Sequence, residues 1–271
     1  MVGDSGGPGL AGAGQTRLFS GVGVALVTIF DADGGVDDVA TARHAEDLVR
    51  RGMRAVLVNG STGEAGTLTD AERVALVRAV RKAIPADIPV IAGTGGPSAG
   101  VAVGLTEAAV DAGADIVLAY PPPNWAEPPE LHAFFESVQA AASGRPVLAY
   151  HVPWVSEPGV PVDELPGLPV AGIKDSSGSA DRLLDELAHY EGATYVGSSA
   201  LLALAGPMGG AGAILAIANV EPERCVRAFD GDATAQRELA ETHLAVRAGG
   251  PAALKRLLAD RSEFPATSRL G

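Results

Sequence analysis

Cysteine is nearly absent from this sequence of 271 residues, which contains only Cys225. A single thiol cannot form a disulfide within the chain, so the disulfide-stapled folds of small secreted proteins are excluded. We interpret Cys225 as a small buried apolar residue in a reducing compartment rather than as a nucleophile. Metal-ligand patterns are also missing, because neither H-E-x-x-H nor two histidines four residues apart occur. We therefore expect no metal site.

Long apolar runs are absent as well. A transmembrane helix needs roughly 18 or more apolar residues in succession, whereas the longest runs here, such as VGVALVTIF at 22–30, have the length of a strand. Residues 1–16 are rich in glycine and lack the charged start and apolar centre of a signal peptide. We predict a disordered arm over 1–16 and a cytoplasmic protein with no membrane partner.

Positive charge is scarce, since 33 acidic residues face 20 basic ones and the net charge is −13. Nucleic-acid binding requires a clustered basic surface, so no nucleic-acid partner is expected. The stretch GTGGPSAG at 93–100 is rich in glycine but has Ser98 where the dinucleotide pattern G-x-G-x-x-G requires its last glycine. The sequence therefore predicts no dinucleotide site and no cofactor.

Aromatic residues make up only 4% of the chain, whereas apolar residues make up 47%. A core of Ala, Val, Leu and Ile is typical of parallel strands covered by helices. Eight short apolar runs are bounded by Gly or Pro, with helical patterns between most of them, which favours a closed (β/α)8 TIM barrel over an open sheet. We predict the barrel over 17–220 and a small C-terminal helical extension over 221–271. The predicted strands are 22–29, 55–59, 89–93, 115–120, 146–150, 169–174, 194–198 and 211–217.

Lysine is the rarer of the two basic residues, with three lysines against 17 arginines. One of them, Lys174, directly follows the apolar run PVAGI. A desolvated lysine can lose its proton and become a nucleophile, which arginine cannot do. Barrel chemistry lies at the carboxyl ends of the strands, where Tyr150 also falls. A lysine amine can form a Schiff base with a ketone, and a tyrosine hydroxyl can move the protons. Lys174 and Tyr150 are candidate catalytic residues; the alternative is a charge and a ring at strand ends.

A second candidate is the loop NGSTGEAGTLT at 59–69. The hydroxyl and backbone N–H groups of Ser61 and Thr62 can bind a small anion such as a carboxylate. The alternative is an ordinary polar turn between a strand and a helix, which has the same kinds of residue. The loop also lies one residue from the nucleophile pattern G-x-S-x-G, with Asn59 at the first glycine. A serine hydrolase that uses Ser61, with His151 as its base, is therefore a weaker alternative.

Several stretches together resemble the dihydrodipicolinate synthase and N-acetylneuraminate lyase family of class I aldolases. They lie in the family's order over about residues 20–220 and are GVGVALVTIFDADGGVDDVATARHAEDLVRRGMRAVLVNGSTGEAGTLTDAER, IPVIAGTG, AGADIVLAYPPP, PVLAYHVP and VAGIKDSSGS. The resemblance implies a barrel with a helical C-terminal part, Lys174 as the Schiff-base lysine and Tyr150 as the proton-relay tyrosine. It also implies that Ser61 and Thr62 bind the substrate carboxylate.

The same resemblance places further residues at the pocket. It implies that Gly197 and Ile214 line the pocket at the ends of the last two strands and that Ser176 faces the tail of a longer substrate. The resemblance further implies that the protein forms a homo-dimer or homo-tetramer. The expected activity is that of a lyase or aldolase on pyruvate or another 2-oxo acid, by C–C bond cleavage or formation or by dehydration.

The chain departs from the family at positions that bear on the substrate. Pro122 and Pro123 stand where members often carry a tyrosine pair, and His151 replaces the usual asparagine after Tyr150. Val155 stands where the synthases place an arginine for the second substrate's carboxylate. These changes argue against a true dihydrodipicolinate synthase. They also leave open a paralogue that binds a small oxo acid without efficient turnover.

Overall fold

The computed structural model describes residues 18–270, in which eight parallel strands form one closed barrel. Each strand pairs with the next in sequence, and the last pairs with the first. The predicted TIM barrel is confirmed, while the predicted arm over 1–16 lies outside the described residues. The strands are β1 (Gly21–Ala25), β2 (Val56–Val58), β3 (Val90–Gly93), β4 (Ile116–Ala119), β5 (Val147–His151), β6 (Gly172–Asp175), β7 (Ala193–Val196) and β8 (Gly212–Leu215).

Helices surround the barrel and continue past its last strand. Those between the strands are α1 (Asp38–Arg50), α2 (Asp70–Ala83), α3 (Ala99–Asp111), α4 (Pro128–Ala141), α5 (Ala180–His189) and α6 (Leu202–Ala205). The first five match, to within two residues at each end, the helices that the sequence pattern predicts over 36–51, 69–84, 98–112, 129–143 and 179–190. The single turn of α6 is too short to give a helical period in the sequence. A capping box begins α2, in which Thr69 and Glu72 each accept the other's backbone N–H.

Three helices follow β8: α7 (Pro222–Phe229), α8 (Ala233–Glu238) and α9 (Ala240–Ala259). The helical C-terminal part is thus present, and α9 lies close to the turn at Ser61–Gly63. A kink interrupts α9 at Gly250, whose φ of 56° and ψ of −148° are not helical, directly before Pro251. Within residues 18–270, no helix combines the length and apolar character that crossing a bilayer requires.

The strands alternate between two buried environments, as a period of two residues requires. On β6, Ile173 belongs to the apolar layer between strands and helices, while Lys174 faces the barrel interior. On β5, Ala149 belongs to that outer layer and Tyr150 to the interior cluster. Phe19 lies just before β1 and stacks on the Tyr195 ring inside the barrel at 4.4 Å between centroids. The interior is therefore packed beneath the carboxyl ends of the strands.

Asn219, in the turn after β8, explains why β1 ends earlier than predicted. Its side-chain oxygen accepts from Val27 N (3.2 Å), and its amide donates to Ala25 O (2.8 Å) and Ala216 O (2.7 Å). The same oxygen lies 3.2 Å from His44 Nε2. These bonds satisfy backbone groups that a neighbouring strand would otherwise pair. One buried amide therefore joins both sides of the seam where the barrel closes.

We expect Asn219→Ala to lower the free energy of unfolding by roughly 3 kcal/mol or more, because it leaves buried backbone groups without partners. Urea-induced unfolding measures the loss. Ser137→Ala, on an exposed face of α4, is the control and should change stability by less than about 0.5 kcal/mol. Equal stability of the two variants would contradict the role given to Asn219.

Candidate active site

A cavity of about 690 Å³ opens at the carboxyl ends of the strands, where a barrel carries its chemistry. All seven residues predicted for the site line this cavity, namely Ser61, Thr62, Tyr150, Lys174, Ser176, Gly197 and Ile214. They come from five separate places in the sequence, so the closure of the barrel brings them together.

Lys174 and Tyr150 lie side by side on neighbouring strands, because they are register partners in the β5–β6 pairing. Lys174 Nζ is 4.4 Å from the centroid of the Tyr150 ring, and the two residues are only 4% and 7% exposed. Among the described residues, the Lys174 amine has no carboxylate within ion-pair distance. The amine therefore faces an aromatic ring and open cavity rather than a counter-ion.

The Tyr150 hydroxyl is held by a polar neighbour from the next strand. Ser176 Oγ donates to it at 3.3 Å, and the Tyr120 ring lies edge-on to the Tyr150 ring with centroids 6.4 Å apart. A Cβ atom on Gly197 would lie 2.0 Å from Ser176 Oγ, so a side chain at that position would displace the serine. Glycine at 197 thus preserves the hydrogen bond between Ser176 and Tyr150.

On the outer face of β6, directly behind Lys174, lies a buried charged cluster. Arg182 Nε is 2.9 Å from Glu186 and 3.7 Å from Asp175. Burial raises the pKa of Asp175, and burial together with the nearby Asp175 charge raises the pKa of Glu186 to about 8. The Asp175 carboxylate also accepts from Ser177 N (2.8 Å) and Ser177 Oγ (2.9 Å). These bonds anchor the backbone just past Lys174.

The structure does not support the hydrolase alternative. His151 follows Tyr150 on β5 and therefore points to the opposite face, where its Nδ1 accepts from Val160 N at 3.0 Å. It does not line the cavity, whereas Ser61 does. Burial and the positive charge of Arg182 lower the pKa of His151 to about 4. A histidine on the outer face of the sheet cannot act as a base for Ser61.

The loop of Ser61 and Thr62 is shaped by two short 3₁₀ turns, Ser61–Gly63 and Ala65–Thr67. Glu64 between them has a φ of 55°, a left-handed conformation that few side chains adopt without support. Thr28 Oγ1, at the end of the first predicted strand, donates to Gly63 O at 2.7 Å. A side-chain hydrogen bond from the end of the first predicted strand thus holds one side of the loop.

The C-terminal segment fixes the other side of this loop through Glu64, which is only 1% exposed. Lys255 Nζ on α9 lies 2.5 Å from Glu64 Oε1 and donates to Thr267 O at 3.0 Å. Glu64 Oε2 accepts from Ser268 Oγ (3.0 Å) and from Arg269 N (2.7 Å). A residue of the candidate carboxylate loop is therefore tied to the end of the chain by a buried ion pair.

Pro122, Pro123 and Val155, three of the positions at which the sequence differs from the expected family pattern, lie in the segments that follow β4 and β5. Val155 is 40% exposed and does not line the cavity, but its neighbour Trp154, 67% exposed, does. Pro122 is half-buried and Pro123 exposed in the segment after β4.

Within residues 18–270, no three or more His, Cys, Asp or Glu side chains are grouped in a way that could hold a metal ion.

Sequence reasoning missed the residues that α9 brings to the cavity. His243 and Arg247 line it, four residues apart on one face of the helix, and Ser199 joins them from the turn after β7. Ser199 Oγ lies 2.8 Å from His243 Nδ1. Their helical spacing was a possible signal, but it does not reveal which surface the helix covers.

The match of residues 18–247 to a family of barrel enzymes gives the class of the protein, which is a class I lyase, an enzyme that acts through a lysine Schiff base. Residues 18–247 match the Dihydrodipicolinate synthetase family, and the chain belongs to this family. The family prediction made from the sequence motifs is confirmed.

Two relatives and one solved structure show the extent of the similarity. A 4-hydroxy-tetrahydrodipicolinate synthase from Salinibacter ruber is 36% identical over 247 residues, covering 85% of this chain and 80% of the relative. An uncharacterized DapA-like lyase from Halobacterium salinarum is 36% identical over 252 residues, covering 90% and 82%. YagE, a prophage protein of the dihydrodipicolinic acid synthase family from E. coli K12 in complex with pyruvate, has a TM-score of 0.85 at 25% identity, with 93% of this chain and 91% of that chain covered.

We expect Lys255→Met to lower the free energy of unfolding by about 3–5 kcal/mol, because it leaves the buried Glu64 carboxylate without its cation. Denaturant unfolding is the measurement, and the exposed Lys82→Met is the control. The double variant Lys255→Met/Glu64→Gln removes the unpaired charge and should recover part of the loss. A loss equal to that of the control would show that the pair does not hold the loop.

Proposed function

We propose that this enzyme is a Schiff-base lyase or aldolase for pyruvate or another 2-oxo acid, with Lys174 as its nucleophile. The observation that carries the proposal is the buried Lys174 amine beside Tyr150, at the mouth of the barrel and without a carboxylate partner among residues 18–270. Within the described residues, no ion pair engages the amine, which is open to a carbonyl compound that enters the cavity. It can then attack a carbonyl carbon.

In the proposed reaction, the neutral Lys174 amine adds to the ketone carbon of the 2-oxo acid and forms a carbinolamine. Loss of the hydroxyl group as water gives the iminium, in which Nζ and the former ketone carbon share a double bond. Tyr150 provides the proton that the departing oxygen needs, since its ring lies beside the amine and both residues line the same cavity. Ser176, which donates to that hydroxyl, keeps its oxygen oriented and stabilises the phenolate that this proton transfer leaves.

The iminium is the electron acceptor for the bond-breaking step. When a hydroxyl on C4 loses its proton to the Tyr150 oxygen, the C3–C4 bond breaks and its electron pair moves toward the iminium nitrogen. The products are an aldehyde and an enamine on Lys174. The enamine takes a proton at C3, and water then releases the 2-oxo acid and regenerates the amine. The reverse sequence forms the C–C bond. In a dehydration, the intact iminium instead loses a proton from C3, and the enamine formed in this way expels the C4 hydroxyl, which takes up a proton and leaves as water.

The substrate carboxylate is assigned to Ser61 and Thr62. Both line the cavity with Lys174, and their loop combines hydroxyl groups with the backbone N–H groups of a 3₁₀ turn. Gly197 leaves space near the ketone, and Ile214 gives the interior an apolar wall. Each hydrogen bond to a charged acceptor is worth roughly 1.5–3 kcal/mol, enough to select acids over neutral ketones.

Two further expectations belong to the proposal. The enzyme works in the cytoplasm, a reducing compartment in which its single buried Cys225 stays a thiol. It assembles as a homo-dimer or homo-tetramer, as its family resemblance implies. The second candidate function, binding of a small oxo acid without efficient turnover, is favoured by the changed rim at Pro122, Pro123 and Val155. Turnover separates the two functions.

Reduction with borohydride in the presence of pyruvate should trap a covalent adduct on Lys174, because the iminium is reduced to a stable amine. Intact mass and peptide mapping locate it. Lys174→Arg keeps a positive charge but cannot form an imine, so this variant should show no adduct while its circular dichroism is unchanged. Lys82→Arg is the matched control and should be trapped like the wild type. An adduct on Lys82 or Lys255 would refute the assignment.

Condensation of pyruvate with aspartate semialdehyde should be slow, since Val155 offers no charge to the semialdehyde carboxylate. Coupled turnover assays with a true dihydrodipicolinate synthase as the reference measure the rate. Val155→Arg should raise it, whereas Val39→Arg, on the exposed surface of α1, should not. Efficient condensation by the wild type would show that the enzyme is a synthase after all.

A further inference from the structure

The described cavity lining has positively charged side chains and no acidic ones, although the net charge of the protein is negative. The chain carries 33 acidic residues and a net charge of −13, yet no described Asp or Glu side chain lines the cavity. Its charged or ionisable nitrogen groups are Lys174, His243 and Arg247. A cavity of this kind attracts anions and concentrates them against the field of the acidic surface.

Two of these groups are held by one face of α9. His243 and Arg247 are four residues apart, and Gly250, Pro251 and Leu254 continue the same stripe along the cavity wall. Arg247 is exposed at the mouth and has no carboxylate within ion-pair distance among residues 18–270. A guanidinium that faces a cavity without a counter-ion is available to an anionic ligand.

His243 is positioned for the same ligand by Ser199. Its Nδ1 lies 2.8 Å from Ser199 Oγ, and its pKa is lowered by burial and by the charge of Arg247. A neutral imidazole whose Nδ1 accepts from the serine hydroxyl carries its proton on Nε2, which is then a donor. In this tautomer, the wall formed by α9 offers a guanidinium and an imidazole N–H group, and both are hydrogen-bond donors.

This wall lies apart from the groups that the proposed function assigns to the first carboxylate. Ser61 and Thr62 follow β2, and Lys174 ends β6, whereas His243 and Arg247 belong to the helix that covers the mouth. Ser176, Ser198 and Ser199 line the cavity on the side of β6 and β7. A substrate joined to Lys174 and bound by the Ser61 loop would extend along these hydroxyl groups toward α9.

We infer that Arg247, with His243 beside it, binds a second carboxylate at the far end of the substrate, so that the enzyme acts on dicarboxylic 2-oxo acids. This inference rests on the proposed function for the position of the first carboxylate. A single guanidinium balances the single charge of a carboxylate, and its fork of N–H groups matches the two carboxylate oxygens. A doubly charged phosphoryl group would need a second permanent cation on this wall, and the described wall has none.

The test compares 2-oxo acids of equal length with and without a terminal carboxylate. The dicarboxylic probes are 2-oxoglutarate, 2-oxoadipate and 2-oxopimelate, and the neutral-tailed partners are 2-oxopentanoate, 2-oxohexanoate and 2-oxoheptanoate. Calorimetric titration gives each Kd, and borohydride trapping gives the rate of adduct formation. For at least one length, we expect the diacid to bind roughly tenfold tighter at low salt and this preference to shrink as ionic strength rises.

Variants of α9 assign that preference to a residue. Arg247→Gln should reduce the ratio between diacid and monoacid affinities to near one, and Arg247→Lys should retain part of it. Arg256→Gln removes the same charge from an exposed position on the same helix and should leave the ratio unchanged. An equal fall of the ratio in both glutamine variants would indicate only a general field effect and would overturn the inference. A wild-type preference for the neutral tails would do the same.

Two outcomes separate this inference from the proposed function. If pyruvate forms no adduct on Lys174, the proposed function fails, while the calorimetric ratio still decides whether Arg247 recognises a terminal carboxylate. If pyruvate is trapped but no diacid is preferred, only the second-carboxylate site fails. Tighter binding of 2-oxo-4-phosphonobutyrate than of 2-oxoglutarate would overturn the choice of a carboxylate over a phosphoryl group.

Discussion

The pairing of β5 with β6 is the constraint on which the candidate site depends. Their register places Tyr150 directly beside Lys174, and the two-residue period of the strands turns both side chains into the barrel. A slip of one residue would exchange Lys174 for Ile173 or Asp175 and move the amine into the outer layer. Because the barrel is closed, such a slip would have to be matched around its whole circumference.

The outer face of the same strands keeps the pair in place. Asp175 and Glu186 surround the Arg182 guanidinium behind Lys174, and His151 holds the backbone at Val160. Charges this well buried are costly, as the raised pKa of Glu186 shows. We interpret these buried groups as fixing the ends of β5 and β6 rather than as raising the free energy of unfolding. The alternation that brings Lys174 inward is thus the one that brings this cluster outward.

The helices after β8 bring C-terminal side chains into contact with the loop of Ser61 and Thr62, which lies early in the sequence. Lys255 reaches Glu64 in the loop of Ser61 and Thr62, while the preceding turns of α9 supply His243 and Arg247 to the cavity wall. One helix therefore fixes the loop proposed to hold the first carboxylate and supplies the groups proposed to hold the second. The kink at Gly250 lies between Arg247 and Lys255. It lets the first part of α9 pack along the cavity wall and the second part reach Glu64.

The sequence alone determined the barrel, the place of every strand and the candidate residues Lys174, Tyr150, Ser61 and Thr62. These follow from local patterns: apolar runs with helices between them, a rare lysine after one run, and hydroxyl groups after another. The sequence could not place His243 or Arg247 at the cavity, nor pair Glu64 with Lys255. Those contacts join residues up to 191 positions apart along the chain, and no local period encodes which surface α9 covers. Only the tertiary structure decided them, because the packing of the C-terminal helices against the closed barrel sets which side chains meet at its mouth.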